Sequence, residues 1–226
     1  MASADDLALL SPHLRSVDLP ARRILERPGE PIEQVVFLEG GVVSVVARAA
    51  GGRHIEAGLI GFEGMTGISV VMGDDRSTHE SSVQVAGRGA GIAADALRKA
   101  MGASVTLRAM LLRYVETFMI QTAHTALANG RGTIEERLAR WLLMAQDRLG
   151  GSQLPLTHDL LALMLGVRRA GVTDAVHRLE GEGVIRARRG LILVRDRGRL
   201  EAVAGGAYGG PEQEYRRLLG GWPIGY

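Results

Sequence analysis

The sequence predicts an α+β fold with an N-terminal antiparallel β-roll or jelly-roll-like barrel, a long helix and a C-terminal winged helix-turn-helix. Three observations predict it. Short apolar runs punctuated by glycine fill residues 34–94. Helical periodicity then continues from 104 to 128. Finally, the stretch 156–195 has the pattern of a short helix, a glycine turn, a second helix and two strands.

Residues 1–102 are predicted to form the first domain, a barrel able to bind an effector. VVFLEGGVVSVVAR is expected to form two strands, HIEAGLI one, and SSVQVAG and GAGIAAD two more. The stretch 61–80 interrupts these strands. We expect it to contain a short helix or loop and to be the best candidate for a small-molecule site.

Residues 103–130 are predicted to form a dimerisation helix and hinge. The apolar residues fall in two neighbouring stripes, which together make a face wide enough to pair with a copy of the same helix. Packing along the chain's own barrel is the alternative. The residues predicted to lie in the dimer interface are Leu111, Tyr114, Val115, Phe118 and Met119.

Residues 131–204 are predicted to form a winged helix-turn-helix. Thr157 can cap the first helix, Gly166 permits a sharp turn, and Val172 and Val176 belong to one buried face. The opposite face and the turn of the wing carry groups that can donate to phosphate oxygens or base edges. The residues predicted to contact DNA are Thr157, His158, Arg168, Arg169, Thr173, Asp174, His177, Arg188 and Arg189.

A solvated helix pair with a β-hairpin and no ligand is the simpler interpretation of the same stretch. The buried spacing, turn glycine, cationic face and basic wing coincide, and this combination favours DNA binding. We expect the remaining residues, 205–226, to form a loosely ordered tail, because they contain two glycine clusters.

The charge is distributed unevenly along a chain with a net charge of +2. Residues 1–130 have 12 Lys and Arg against 14 Asp and Glu, a balance of −2. Residues 131–226 have 15 against 11, a balance of +4. The predicted DNA-binding half is therefore the basic half.

Composition excludes several kinds of site. The chain has no cysteine, which excludes disulfides, cysteine-ligated zinc and cysteine-ligated iron–sulfur clusters. The acidic N-terminal segment lacks the features of a signal peptide, and no apolar run approaches the length needed to span a bilayer. We therefore expect a cytoplasmic protein without a membrane partner.

The order of barrel, long helix and winged helix-turn-helix resembles the Crp/Fnr family of bacterial transcription regulators. The resemblance covers residues 15–204. It is strongest over LTHDLLALMLGVRRAGVTDAVHRLEGEGVI, and GDDRST is similar to the end of the family's phosphate-binding cassette, G-x-x-R-S-A. It implies a homodimer that reads a palindromic operator in double-stranded DNA, with an effector in the barrel and RNA polymerase as a further partner.

The resemblance also implies roles for individual residues. Arg169 matches the arginine that reads a guanine, while Thr157 and His158 match phosphate contacts. The family often has R-E-T-V-x-R in the recognition helix, but residues 169–174 are RAGVTD, so a different operator is expected.

The implied effector is a cyclic nucleotide or another anion. Arg76 and Ser77 match the pair that holds a cyclic phosphate. The carboxylate that binds the ribose falls near Thr66, with Glu63 close by in a shifted register. The predicted effector-binding residues are Glu63, Gly64, Arg76 and Ser77.

Two alternatives remain open. One is a constitutive DNA-binding regulator whose barrel has no ligand. The other is a cupin-like metal-dependent enzyme, for which the candidate ligands are His54, Glu56, Glu63, His79 and Glu80. The sequence has no Ser-His-Asp spacing, P-loop or dinucleotide motif, and we expect neither a catalytic residue nor a metal site.

Overall fold

The structure is a computed structural model that describes residues 3–52 and 54–221. It confirms the predicted fold class and the order of its parts. The described helices are α1 (Ala4–Leu10), α2 (Ile68–Met72), α3 (Ala94–Ala103), α4 (Val105–Arg131), α5 (Ile134–Leu149), α6 (His158–Leu165), α7 (Arg169–Gly181), α8 (Arg197–Ala204) and α9 (Gly210–Leu219). The described strands are β1 (Arg15–Leu19), β2 (Ile24–Glu26), β3 (Gln34–Arg48), β4 (His54–Ile60), β5 (Glu80–Ala93), β6 (Gln153–Leu154), β7 (Ile185–Arg188) and β8 (Leu191–Val194).

The N-terminal domain is a five-stranded antiparallel sheet in the order β1-β5-β3-β4, with β2 also paired to β5. The prediction divided both β3 and β5 into two short strands, and this was wrong. The pairing of β3 with β5 continues past the glycines through register shifts between Leu38 and Val43. Such bulges bend a strand without ending it, so each predicted pair is one long bent strand.

Glycine is required where β3 and β5 bend, because the two backbones meet there. A Cβ atom on Gly87 would lie 2.1 Å from the carbonyl oxygen of Gly40. Gly41 has a φ of +85°, in the left-handed region that favours glycine. The glycines that suggested a turn therefore mark a close approach of two strands.

The helix α4 is continuous, and Ser104 caps its N-terminus by accepting the N–H of Leu107. The predicted hinge is helical as far as Arg131, so only Gly132 and Thr133 separate α4 from α5. No described helix is both long and apolar enough to cross a membrane.

The C-terminal domain begins with a capping box at α5. The Thr133 hydroxyl accepts the N–H of Glu136, and the Glu136 carboxylate accepts the N–H of Thr133. The helices α6 and α7 follow, and then a small sheet in the order β6-β8-β7. The predicted helix-turn-helix and its two wing strands are thus confirmed.

One hydrophobic cluster spans both domains. Val42 and Leu59 of the N-terminal sheet belong to the same buried cluster as Leu138, Trp141 and Leu142 of α5. Burial of apolar surface is the main favourable contribution to folding. The C-terminal domain is therefore stabilised partly by the sheet on which it packs.

A buried ion pair adds a polar contact between the domains. Arg148 Nη2 of α5 lies 2.7 Å from Glu63 Oε1, and the two side chains are 1% and 4% exposed. Arg148 Nη2 also donates to the carbonyl of Leu59. Charges removed from water need such partners, so this pair fixes α5 against the N-terminal domain.

The chain beyond α8 differs from the loose tail predicted for 205–226. The helix α9 packs on α4, with Pro211 buried. The Tyr215 hydroxyl donates to the carbonyl of Glu63 at 2.6 Å. Sequence periodicity missed this helix because it is short and flanked by glycine. Residues 222–226 lie outside the described residues.

Replacing Glu63 by Gln is expected to lower the free energy of unfolding by about 3 kcal/mol, because the buried Arg148 charge loses its carboxylate partner. Urea unfolding measures the change. The matched control is Glu39→Gln, which breaks an exposed pair with Arg88 and should cost less than about 1 kcal/mol. Equal losses in both variants would contradict the importance of the buried pair.

Candidate nucleic-acid interface and cavity

Caps position the first helix of the helix-turn-helix, α6, and a buried face positions the second helix, α7. The Thr157 hydroxyl accepts the N–H of Leu160 at the start of α6, and Gly166 ends α6 with a φ of +61°. Val172 and Val176 of α7 are completely buried. The opposite face of α7 is consequently directed away from the core.

This outer face contains most of the predicted DNA-contacting residues. Thr173 and His158 are half-buried at its edge. The exposed members are Thr157, Arg168, Arg169, Asp174, His177, Arg188 and Arg189. The structure therefore leaves each of these side chains accessible at least in part, and contacts between α6 and α7 bring His158 beside Thr173.

Thr173 and His158 connect the two helices of the motif. Thr173 Oγ1 lies 3.0 Å from His158 Nδ1 and also donates to the carbonyl of Arg169. These contacts fix α6 against α7. They hold both side chains in defined positions beside the exposed face.

Arg169 is exposed and has one ion-pair partner in the described structure. Its Nη1 atom lies 3.3 Å from Asp159 Oδ1, and the two side chains are 67% and 69% exposed. An exposed pair of this kind is typically worth less than about 1 kcal/mol. A phosphate or a guanine edge can therefore displace Asp159.

The wing carries unpaired cations. Arg188 and Arg189 are exposed beside the turn between β7 and β8, and the Glu180 carboxylate anchors the wing to α7 by accepting the N–H of Ala187. Across the described residues, neither wing arginine forms a salt bridge, and the same holds for Arg168. Such groups can bind phosphate oxygens.

A cavity of about 530 Å³ lies between the N-terminal sheet and α4. We call it the barrel cavity. Most of its wall is apolar, and its polar groups come from β2, from the loops on either side of α2, from β5, and from Ser69 of α2 and Thr122 of α4. Its lining residues include Glu26, Val45, Ile60, Thr66, Gly67, Ile68, Met72, Ser77, Thr78, His79, Ser81, Val115, Phe118, Met119, Ala123 and Ala126.

The predicted effector residues are not assembled around this cavity. Only Ser77 lines it. Arg76 is more than half exposed, and it donates to the carbonyl of Gly29 at 2.7 Å. Glu63 pairs with Arg148, and Gly64 packs tightly against the Tyr114 ring.

Glu26, which the sequence interpretation did not single out, is the charged residue at this cavity. Its carboxylate accepts the N–H of Gly67 and the hydroxyls of Ser77 and Ser81. Gly67 is 41 residues away in sequence. No local motif signals this contact, because only the folding of β2 beside β5 creates it.

The predicted dimer residues divide into two groups. Leu111, Tyr114 and Val115 are buried within their own chain, and Phe118 is half-buried. Met119 is 59% exposed. Leu111, Tyr114 and Val115 therefore pack along the chain's own barrel, which was the alternative to a dimer interface.

A second apolar stripe beside the buried face of α4 remains exposed. Val105, Leu112, Met119 and Ala126 are exposed and follow one another at intervals of seven residues. A seven-residue apolar repeat is typical of helices that pair with other helices. We call these four residues the α4 seam.

A second carboxylate is buried between the domains. Glu56 accepts the indole N–H of Trp141 at 2.9 Å and the hydroxyl of Ser44 at 2.7 Å. Burial raises the pKa of Glu56 to about 7, while these hydrogen bonds oppose the rise. The protonation state of the Glu56 carboxyl therefore affects the contact between β4 and α5.

The residues proposed for a cupin-like metal site are not brought together as a cluster. Glu56 contacts Trp141, and Glu63 contacts Arg148. Glu80 pairs with Arg48. Within the described ranges, no group of three or more histidine and acidic side chains is arranged to hold a metal ion.

Comparison with known proteins places these observations in context. Residues 136–203 match the model of the Crp-like helix-turn-helix domain. FixK2 from Bradyrhizobium japonicum is 20% identical, with a TM-score of 0.74 and coverage of 84% of this chain and 96% of that chain. The search of curated proteins gave no match.

Two further solved structures share the fold. TTHA1359 from Thermus thermophilus, a transcriptional regulator of the CRP/FNR family, is 21% identical, with a TM-score of 0.65 and coverage of 84% of this chain and 98% of that chain. The c-di-GMP responsive global regulator CLP from Xanthomonas campestris is 19% identical, with a TM-score of 0.67 and coverage of 85% and 99%. The likeness therefore extends over both domains.

Glu56→Gln is expected to remove a pH dependence of stability. The folded pKa of Glu56, about 7, exceeds its ordinary value of 4.5, so ionisation penalises the folded state. Relative to the variant, the wild type should lose on the order of 3 kcal/mol as the pH rises from 4.5 to 7, with no further loss above that range. Urea unfolding at pH 5 and pH 8 measures this. A stability difference that does not change with pH would contradict it.

Proposed function

We infer that this chain, which has the fold of the Crp/Fnr transcription regulators and a Crp-like helix-turn-helix domain at residues 136–203, regulates transcription by binding double-stranded DNA. The observation that carries this inference is the outer face of α7, where cationic side chains are exposed beside a basic wing. We further propose a cytoplasmic protein that acts with RNA polymerase and has no catalytic activity of its own.

The geometry supports base contacts by α7 and phosphate contacts by the wing. The N-terminal end of α7 presents Arg169 to base edges in the major groove, as recognition helices do. Arg188 and Arg189 lie on the wing, where they suit contacts with the phosphate backbone. Asp174, exposed on α7, disfavours close contact with phosphate and instead suits the N4 amino group of a cytosine.

Arg169→Ala is expected to weaken binding to the specific operator by roughly 1–3 kcal/mol, with little effect on random DNA, because a base-edge contact is lost. Fluorescence anisotropy can measure both affinities, using a duplex selected from a random-sequence pool and a scrambled duplex.

Arg188→Ala is the matched control for Arg169→Ala. Loss of a phosphate contact should weaken binding to both duplexes and lower the salt slope by about one. If Arg169→Ala also weakened both duplexes equally, Arg169 would be a phosphate contact, and the base-reading role would be wrong.

We also propose that the chain acts as a homodimer through the α4 seam. A two-fold dimer suits two half-sites in a palindromic operator. The seam residues are exposed, whereas Leu107, Leu111 and Tyr114 of α4 are buried in their own domain, so pairing does not compete with the core. Met119 and Ala126 also line the barrel cavity, and a paired helix would therefore cover its open side.

Leu112→Glu combined with Met119→Glu is expected to produce monomers of 24.1 kDa, because two charges would be buried in the paired seam. Light scattering after size-exclusion chromatography measures the mass. The control is Leu7→Glu with Leu9→Glu, which places the same charges at exposed apolar positions of α1 and should leave the dimer intact. A seam variant that stays dimeric would place the interface elsewhere.

Two hypotheses concern the barrel: an effector bound there controls DNA binding, or the barrel has no ligand and DNA binding is constitutive. CLP is named as responsive to c-di-GMP, an anion. In this chain, Arg76 lies outside the cavity lining and Glu26 accepts the donors of Gly67 and Ser77, an arrangement that disfavours an anionic effector. The alternative is constitutive binding with a ligand-free barrel, for which operator affinity would be unaffected by any compound that binds the cavity.

A further inference from the structure

The carboxylate of Glu26 takes up the hydrogen-bond donors at one end of the barrel cavity. Its Oε1 atom accepts the N–H of Gly67 at 2.5 Å. Its Oε2 atom accepts the hydroxyl of Ser81 at 3.0 Å and shares the hydroxyl of Ser77, at 3.1 Å, with the carbonyl of His79, at 2.8 Å. Groups that could bind an anion are therefore occupied by a side chain of the protein.

Glu26 has no cationic partner among the described residues. No salt bridge includes it, and the cavity lining contains neither arginine nor lysine. The other titratable residue in the wall is His79, whose Nδ1 atom lies 2.7 Å from the Thr78 hydroxyl oxygen. The carboxylate thus gives this end of the cavity a negative potential, which repels anions and attracts cations.

The remainder of the cavity suits an apolar body. Val45 and Ile60 of the sheet face Phe118 and Met119 of α4 across it. A volume of about 530 Å³ lies within the range of small-molecule sites, which combine mostly apolar walls with a few polar groups. A ligand would bury its apolar part here and direct its polar part towards Glu26.

We propose that the barrel cavity binds a small molecule that carries a protonated amine on an apolar body, with the ammonium group on the Glu26 carboxylate. An ammonium ion can supply a charge-assisted hydrogen bond to a carboxylate oxygen that already accepts one or two neutral donors. The same carboxylate takes up the donors of Gly67, Ser77 and Ser81 and therefore disfavours a phosphate group at this end of the cavity. An effect of the amine on operator affinity rests on the proposed function. Binding of the amine to the cavity does not.

The charge preference can be measured on the full-length wild-type protein with three probes of the same length. Isothermal titration calorimetry at neutral pH and low salt would compare hexylamine, hexanol and hexanoate, with cyclic AMP as a fourth compound. Hexylamine is expected to bind at least tenfold more tightly than hexanol, while hexanoate and cyclic AMP give no measurable heat of binding.

The role of Glu26 is tested with Glu26→Gln, which keeps the shape of the side chain and removes its charge. The preference for hexylamine over hexanol should disappear. Glu30→Gln is the matched control, because Glu30 is exposed on the loop that follows β2 and lies outside the barrel cavity, and this variant should keep the preference. If Glu26→Gln fails to fold, the comparison of probes on the wild type still decides the charge preference.

Three results would overturn the proposal: equal binding of hexylamine and hexanoate, tight binding of cyclic AMP, or an unchanged amine preference in Glu26→Gln. None of these measurements contains DNA. A failure here therefore leaves operator binding by the outer face of α7 untouched, and a failure of operator binding leaves the amine site untouched.

Discussion

The packing of α5 on the N-terminal sheet determines how the rest of the molecule is arranged. Trp141 and Arg148 of α5 each contact a buried carboxylate of the N-terminal domain, Glu56 and Glu63. Apolar residues of both domains surround these contacts in one cluster. Separating the domains would expose this apolar cluster to water, and the hydrophobic effect opposes that exposure. The helix-turn-helix is therefore held in one orientation relative to the sheet.

Only a short stretch of chain separates the barrel cavity from the helix-turn-helix. Phe118 and Met119 of α4 line the barrel cavity, and only Gly132 and Thr133 separate α4 from α5. A ligand affects such a system only if it binds one arrangement of the helices more tightly than another. A molecule seated between the sheet and α4 contacts both surfaces whose separation would have to change. The exposed α4 seam lies on the same helix that lines the cavity.

The local features of the chain were predictable from sequence, whereas the long-range contacts were not. The spacing of Val172 and Val176 is sufficient to predict which face of α7 is buried, because helical periodicity depends only on neighbouring residues. The contact between Glu26 and Gly67 depends on how β2 pairs with β5, which no local pattern records. The same limit explains why Arg76, part of a motif-like stretch, was expected beside a ligand but lies outside the cavity lining.

The helix α4 also shows what sequence periodicity alone does not predict. Its sequence contains two apolar stripes, and periodicity alone cannot decide which one faces the chain's own domain. Leu111 and Leu112 are adjacent in sequence, yet Leu111 is buried and Leu112 is 45% exposed. The choice is made by the shape of the sheet and by α9, both of which pack against α4. Tertiary structure therefore separates the stripe that is buried in the core from the stripe that stays exposed.

The shared core is tested most directly by differential scanning calorimetry of the full chain at a fixed protein concentration. If α5 is held on the sheet as described, both domains should unfold in a single transition, with a calorimetric enthalpy close to the van't Hoff enthalpy. Two resolved transitions, one for each domain, would contradict the account. They would show that the helix-turn-helix is stable without the sheet and is not held by the contacts of Trp141 and Arg148.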